Sequence, residues 1–331
     1  MVRKLVQVAQ KVGVSEATVS RVLNGKPGVS DSTRQAVLTA LDVLGYERPT
    51  HLKGVRARLV GLVLPELQNP IFPALAEVAG GALVQLGFTP VLCTRSAGGL
   101  TEAEYVTMLL DQQVSGVIFC GGLSAEESAS LKERGMPVVL LNAAIDYSGF
   151  PQVSTDDAAA VQQAYAHLAS LGHTRIGLMV GPADHTPSRR KAAAFTKLAE
   201  RAGAGKAGHP VGHALFSFEG GQAVATEMLD TGITALICGS DILALGAIRA
   251  ARRQGLAVPA GFSVVGYDDS AFMNYTDPPL TTLRQPIESM SRAAVTLLAN
   301  QISGTTPTPK ELLHEPELVV RLSTARAPAP K

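Results

Sequence analysis

The first 46 residues contain three short amphipathic stretches separated by turn residues. In the first, apolar residues follow the i, i+3, i+4, i+7 spacing of one helix face, at Leu5, Val8, Ala9 and Val12. Gly13 can adopt a positive φ and predicts a tight turn, after which Ser15 can cap a second helix. Ser30 can cap a third, whose apolar positions are Val37, Ala40, Leu41 and Leu44. Two helices about a glycine turn, braced by a third, predict an all-α helix-turn-helix.

The second helix has two unlike faces. Val19, Val22 and Leu23 share one side, and the opposite side carries Glu16, Ala17, Ser20 and Arg21. An outer face that is small and polar, with one arginine, suits the DNA major groove, where bulky side chains would obstruct entry. The alternative is a small helical bundle that binds nothing.

From Leu59 onward, short apolar runs alternate with amphipathic stretches. The predicted strands are 59–64, 91–93, 116–119, 138–141, 176–180, 235–238 and 263–266. The predicted helices are 73–87, 101–113, 125–134, 157–171, 188–202, 219–230, 242–254 and 286–303. This alternation predicts an α/β body of doubly wound parallel sheets with helices on both faces. The number of units favours two lobes with a ligand cleft at the carboxyl ends of the strands.

Composition and charge refine this picture. The chain has 331 residues, of which 17% are charged and 46% are in the apolar set, and at about 150 residues per domain this length suggests roughly two domains. No apolar run approaches the ~20 residues of a membrane span, and the first residues lack a signal-peptide core, so we expect a cytoplasmic protein. Residues 1–60 carry a net charge of +6 and the remainder −5, which suits a head that meets phosphates. Cys93, Cys120 and Cys238 are not in CxxC pairs, and we expect buried, reduced thiols.

The N-terminal stretch VGVSEATVSRVLNG, residues 12–25, resembles the headpiece of LacI/GalR transcription regulators. By that resemblance Glu16, Ala17 and Arg21 face base edges, and Arg21 can be bidentate to a guanine. Thr18, Ser20 and Asn24 would contact phosphate or sugar. The implied DNA-binding set is Ser15, Glu16, Ala17, Thr18, Ser20, Arg21, Asn24 and Leu52. Lys4 departs from the pattern, because the family usually caps its first helix there with Thr or Ser.

Residues 47–58 form the predicted hinge or linker. The family places a short helix here whose leucine wedges into the minor groove, and Leu52 is the candidate. The family pattern is absent, and Gly54 weakens a helix at this point. A flexible basic linker that contacts only phosphates is therefore an equal alternative.

The resemblance continues through the body at residues 59–326. The segments that carry it are PELQNPIF (65–72), LGHTRIG (171–177), SVVGYDD (263–269) and PPLTTLRQ (278–285). It implies two periplasmic-binding-protein-like lobes, the first about 59–155 and 286–312 and the second about 156–284 and 313–326. Three crossings would join them, near 154–156, 284–286 and 312–316. The remaining residues, 327–331, are expected to be a disordered tail.

The family's effector positions map onto residues that follow separate strands. The mapped set is Asn69, Phe72, Asp156, Arg190, Lys191, Phe218, Ser240, Asp241 and Asp268. Carboxylates can accept hydrogen bonds from vicinal hydroxyls, and the phenylalanines, Phe272 among them, can stack on a sugar face. Two positions depart from the family, since Lys191 stands where an arginine is usual and Ser240 where an asparagine is usual. Except at Asp268, a purely structural role, as a helix cap or core residue, is equally open.

The sequence contains one stretch that fits a cofactor-binding motif. Residues 203–208 fit GxGxxG but follow a helix, which favours a loop over a dinucleotide site. No P-loop, HExxH or GxSxG occurs and the histidines lack metal-ligand spacing, with His173 expected at a structural turn, so we predict no cofactor, no metal and no enzyme. The prediction is a homodimeric regulator, most often a repressor, that binds a pseudo-palindromic operator and a small molecule, a sugar by expectation. The alternatives are a corepressor-type ligand such as a purine, activation, a solute-binding protein, and an enzyme on a doubly wound scaffold.

Overall fold

The computed structural model describes most of the chain. The described residues are 2–23, 26–44, 58–94, 102–121, 123, 125–145, 149–203, 209–305 and 310–329. Asn24, Leu52, most of the 47–58 linker, the 204–208 loop and residues 330–331 lie outside them. The chain divides into two compact units, Met1–Arg58 and Leu59–Lys331.

The N-terminal unit contains the three predicted helices. They are α1 (Val2–Val12), α2 (Glu16–Leu23) and α3 (Asp31–Val43). Their shared core is Val8, Ala9, Val19, Val22, Leu23, Val37, Ala40 and Leu41. Gly13 has a φ of +73°, which confirms the turn. Since α1 begins at Val2, Lys4 lies inside the helix and not at its start.

The larger unit alternates strands and helices. Its strands are β1 (Arg58–Leu64), β2 (Phe88–Thr94), β3 (Gly116–Phe119), β4 (Val138–Leu141), β5 (Gln152–Thr155), β6 (Ile176–Val180), β7 (Val211–His213), β8 (Ala235–Cys238), β9 (Ser263–Asp268), β10 (Thr281–Arg284), β11 (Glu311–His314) and β12 (Glu317–Val319). Its helices are α4 (Ile71–Gln85), α5 (Glu102–Asp111), α6 (Ala125–Glu133), α7 (Asp157–Ser170), α8 (Thr186–Arg201), α9 (Phe218–Asp230), α10 (Asp241–Arg253) and α11 (Ile287–Ile302).

The strands form two six-stranded sheets, one in each lobe. The first has the order β11-β5-β4-β3-β1-β2 and the second β12-β10-β9-β8-β6-β7. The pairing is parallel from β11 to β1 and from β10 to β7, and β12 joins β10 in the antiparallel sense. Along β1, Leu62 and Val63 point into two different core clusters, as successive residues of a strand covered on both faces must. The doubly wound two-lobe fold is confirmed.

The chain passes between the sheets three times. It leaves the first sheet after Thr155, returns after Arg284 so that α11 packs on the first sheet's core, and leaves again after His314. The last crossing therefore falls within the predicted range 312–316. These crossings bring the carboxyl ends of the two parallel sheets together, where ligands of such folds bind.

Single residues with predicted structural roles agree with expectation. His173 is buried, and its Nδ1 lies 2.8 Å from the Thr234 hydroxyl while Nε2 lies 3.1 Å from the Ser263 hydroxyl. Cys93, Cys120 and Cys238 are buried free thiols. Among the described residues, no helix has the length and apolar character needed to cross a membrane.

Candidate functional site

A cavity of about 430 Å³ lies where the chain crosses between the sheets. Its lining comes from the ends of strands in both lobes, because parallel strands present their carboxyl ends at one edge. The first lobe contributes Pro65, Glu66, Asn69, Ile71, Phe72, Gly121, Leu123, Asn142, Ser154 and Thr155. The second lobe and the crossing contribute Asp157, Val180, Gly181, Pro182, Asp184, His185, Pro187, Ser188, Lys191, Phe216, Gly239, Ser240, Tyr267, Asp268 and Gln285.

A buried ion pair lies on one side of the cavity. Lys191 on α8 donates to Oδ1 of Asp157 at the start of α7, and both side chains are more than nine-tenths buried. The Lys191 ammonium also lies 4.2 Å from the centre of the Tyr267 ring, a cation–π contact. Burial raises the pKa of Asp157 although Lys191 opposes the shift. The ammonium is therefore held by two partners before any ligand enters.

Asp268 ends β9 with a φ of +116°, an uncommon conformation for a residue with a side chain. Its Oδ1 accepts a hydrogen bond of 2.6 Å from Nε2 of Gln285. The Gln285 Oε1 in turn accepts one of 2.7 Å from the Thr155 hydroxyl. Thr155 and Gln285 stand at the first and second crossings, so this bonded chain joins both crossings to the cavity. Burial, and then the nearby Asp241, raise the pKa of Asp268 well above its ordinary range.

An aromatic group covers another side of the cavity. The His185 and Phe216 rings meet edge to face at 5.5 Å, and His185 Nδ1 lies 3.1 Å from the Ser188 hydroxyl. Gly181 permits this packing, because a Cβ there would lie 2.1 Å from the Phe216 ring. Burial, and then Lys191, lower the pKa of His185 to about 4, so the imidazole is neutral near pH 7.

Five of the nine predicted effector residues line the cavity, namely Asn69, Phe72, Lys191, Ser240 and Asp268. Ser240 also caps α10, since its hydroxyl accepts from the Leu243 amide at 3.3 Å. Asn69 has a structural contact as well, because its Oδ1 accepts from the Ile71 amide at 3.4 Å.

The structure places the other four outside that lining. Asp156 caps α7 by accepting from the amides of Ala158 and Ala159, at 3.0 and 2.9 Å. Arg190 turns away to Glu311, with which it forms an ion pair at 2.5 Å. Phe218 is the first residue of α9 and is half-buried. Phe272, the further stacking candidate, is 69% exposed.

Asp241 is the fourth predicted effector residue outside the lining, and its carboxylate accepts hydrogen bonds from other parts of the lobe. It accepts from the Ser270 amide at 2.7 Å and from the Thr282 hydroxyl at 2.6 Å. Burial is the main reason that its pKa is raised to about 6, against the opposing effect of these hydrogen bonds.

Sequence reasoning missed several residues of the cavity lining. They are Asp157, His185, Phe216, Tyr267, Gln285 and Asn142. Asp157 and Tyr267 are next to the predicted Asp156 and Asp268, and Phe216 is two positions from the predicted Phe218. The motifs therefore located the correct segments, but they did not indicate which residue of each segment faces the cavity.

The second candidate surface is the outer face of α2. Glu16, Ala17, Ser20 and Arg21 are exposed, whereas Val19, Val22 and Leu23 are buried in the unit's core. Ser15 is exposed too, and its hydroxyl caps the helix by accepting from the Thr18 amide at 3.2 Å. Thr18 is half-buried, with its hydroxyl 2.9 Å from that of Ser15. The outer face is thus free of bulky apolar groups, as a groove-binding helix requires.

Comparisons with known proteins match both units of the chain. Residues 4–49 match the family model of bacterial regulatory proteins, lacI family, and residues 165–324 match that of the periplasmic binding protein-like domain. The HTH-type transcriptional regulator reg1 of Streptomyces lividans is 51% identical over 99% of this chain and 98% of its own.

Two solved structures resemble the chain over nearly its whole length. The complex of the transcriptional regulator CelR with cellobiose is 33% identical, with a TM-score of 0.72 over 96% of this chain and 99% of that one. The lac repressor dimer bound to operator and the anti-inducer ONPF is 30% identical, with a TM-score of 0.77 over 96% and 98%.

Proposed function

Since the chain belongs to the lacI family of bacterial regulatory proteins, and is a DNA-binding transcription regulator, we propose that it is a repressor whose operator affinity is set by a carbohydrate in the cavity. The observation that carries the proposal is the mixed character of the cavity lining. Amide and carboxyl groups of Asn69, Asn142 and Asp268 converge there with the rings of Phe72 and Phe216. Hydroxyls can pair with the polar groups while the rings pack on C–H faces. The cellobiose bound by the similar CelR supports the same ligand class.

The proposed switch is the relative arrangement of the two lobes. The Thr155–Gln285–Asp268 hydrogen-bond chain links two of the crossings to the cavity wall. A ligand that rearranges these bonds favours one lobe arrangement over the other, and only such differential binding can shift the equilibrium. Coupling of this kind is typically about 1–3 kcal/mol and acts equally in both directions between effector and operator.

The proposed DNA contacts come from α2. Glu16, Ala17 and Arg21 lie against base edges, with Arg21 bidentate to a guanine. Ser15, Thr18 and Ser20 contact the backbone and set the register. Asn24 and Leu52, outside the described residues, belong to the same proposed set.

We place the dimer contacts on the first lobe. Val84, Leu86 and Leu92 are 59%, 49% and 52% exposed at the end of α4 and on β2, which is the edge strand of its sheet. Exposed apolar residues beside a sheet edge are a common mark of an interface. A symmetric dimer would place one headpiece on each half-site of a pseudo-palindrome.

The experiment that tests the DNA assignment is Arg21→Ala, with binding scored against every single-base change of a selected operator. We expect a loss of roughly 1–3 kcal/mol and relaxed preference at one symmetric base position. Lys11→Ala, which removes an exposed charge from α1, is the matched control and should leave base preference unchanged. If Arg21→Ala still discriminates every base as the parent protein does, α2 does not read the operator in this way.

A further inference from the structure

Charged side chains are unevenly distributed around the cavity. Its described lining contains four carboxyl groups, those of Glu66, Asp157, Asp184 and Asp268, and one cationic side chain, that of Lys191. The wall that faces a ligand is therefore negative. This balance bears on which ligands the cavity can accept, because like charges in a partly desolvated site repel strongly.

The single cation is already neutralised. The Lys191 ammonium donates to Asp157 and lies on the face of Tyr267. An anionic ligand that recruited Lys191 would have to share the ammonium with the Asp157 carboxylate or displace it. Sharing places two anions side by side and displacement leaves a buried carboxylate without its partner, so both are unfavourable.

Neighbouring basic residues do not change this excess of negative charge in the cavity lining. His185 lines the cavity, but burial lowers its pKa to about 4, so it brings no charge near pH 7. Arg190 pairs with Glu311, and Arg189 donates to the Asp184 carbonyl at 2.8 Å and to the Thr186 hydroxyl at 3.1 Å. Neither arginine is part of the described lining.

Helix N-termini oppose this effect, since their free N–H groups attract anions. The chain fills two of them with its own groups. Asp156 occupies the amides at the start of α7, and Ser240 occupies one at the start of α10. Acidic residues, Asp157 and Asp241, stand in the first turns of the same helices. The dipoles of α7 and α10 are thus offset before a ligand arrives. The first turns of α4 and α8 also line the cavity and contain no acidic residue, so at those two ends only the carboxyl groups of the lining oppose the dipoles. Even with Asp268 protonated, the three other carboxyl groups outnumber the one ammonium.

We propose that the cavity accepts an uncharged carbohydrate and rejects the phosphate ester of the same sugar. This inference rests on the proposed function, because it assumes that the cavity holds the effector. A phosphate monoester carries about −1.5 to −2 charges at pH 7, and the lining residues that the structure describes offer it no unpaired cation. The carboxyl groups of the cavity wall therefore disfavour binding of the phosphate ester.

The test is calorimetric titration of the full-length protein with matched pairs. The probes are glucose, the β-linked disaccharide cellobiose and the α-linked disaccharide maltose, each with its 6-phosphate. We expect at least one neutral sugar to bind and its 6-phosphate to bind about 100-fold more weakly or not at all. A phosphate ester that binds as tightly as its parent sugar overturns the inference, as does binding by none of the neutral sugars.

A charge-neutralising variant tests whether the phosphate ester is excluded by charge repulsion or by its size. Glu66→Gln with Asp184→Asn should narrow the ratio of the two dissociation constants by about tenfold or more, because two repelling charges are gone. Glu200→Gln, an exposed carboxylate on α8 outside the lining, is the matched control and should leave the ratio unchanged. If the double variant leaves the ratio unchanged, size and not charge excludes the ester, and the inference is wrong.

Operator binding is measured on the same samples without sugar. Sequence-selective DNA binding together with a phosphate ester that binds as tightly as its parent sugar overturns only this inference. DNA binding without sequence preference, or binding by none of the sugars, overturns the proposed function as well.

Discussion

At the scale of single residues, the Lys191–Asp157 pair is the interaction that most constrains the cavity. Both side chains are more than nine-tenths buried, so removing one leaves an uncompensated charge. We expect Lys191→Met to reduce the free energy of unfolding of the larger unit by roughly 3–5 kcal/mol, measured by urea unfolding with circular dichroism. Adding Asp157→Leu should recover most of that loss. A single variant that costs less than about 1 kcal/mol would show that the pair is solvated and not buried.

His185 gives a pH dependence of defined sign. Its pKa is lowered from 6.5 to about 4 in the folded protein, so between those values the unfolded chain binds the proton and the folded chain does not. The stability contribution is therefore fully present above pH 6.5 and is lost as pH falls toward 4. Asp241 acts in the opposite sense, because its pKa is raised to about 6 and protonation favours the folded state.

Comparing a His185 variant with the parent protein isolates the contribution of this histidine to the pH dependence. His185→Gln should show a shallower fall in the free energy of unfolding between pH 6.5 and 4, by about 2 to 3 kcal/mol. His213→Gln, at an exposed histidine on β7, serves as the control. Parallel curves for His185→Gln and the parent protein would mean that His185 is not buried in its neutral form.

At the scale of elements, the edge strand β2 carries the proposed dimer contact. Leu92→Asp places a charge on an exposed apolar position and should convert dimer to monomer, as measured by light scattering at micromolar concentration. Operator affinity should then fall by about 100-fold or more, because the two headpieces no longer act together. Leu322→Asp, at a residue 63% exposed elsewhere in the body, should do neither. A Leu92→Asp protein that remains dimeric would place the interface on another surface.

Hydrophobic patterning predicted the helices and the continuously apolar strands, and missed the short strands that contain polar residues. All eight body helices were expected from amphipathic spacing, and each observed helix differs from its predicted span by no more than two residues at either end. Five strands were not predicted, namely β5, β7, β10, β11 and β12. They are only three or four residues long and mix polar with apolar residues, as in Gln152–Thr155 and Glu311–His314, so they are defined by pairing with neighbours and not by their own pattern.

The candidate site could be predicted to the correct loops but not to the correct side chains. Asp156 and Asp157 are adjacent, and only the exact start of α7 decides which one caps the helix and which one meets Lys191. Gln285 gave no signal in sequence, because its role depends on Thr155 and Asp268, which are remote along the chain. Residue spacing reveals neither the different roles of Asp156 and Asp157 nor the role of Gln285, because these roles arise from tertiary packing.

At the scale of the whole molecule, one chain contains two different candidate binding surfaces. The headpiece presents a small polar helix face, and the body encloses a negative cavity at the crossings between its lobes. Coupling between them requires that the effector distinguish two arrangements of the lobes, and the Thr155–Gln285–Asp268 chain is the part of the described structure best placed to register that difference.

The most direct test of the central claim is selection of bound sites from random duplexes at moderate ionic strength, with and without neutral sugars. The account predicts enrichment of one pseudo-palindromic sequence, and its release when an effective sugar is added. Equal retention of all duplex sequences, whatever sugar is present, would contradict it.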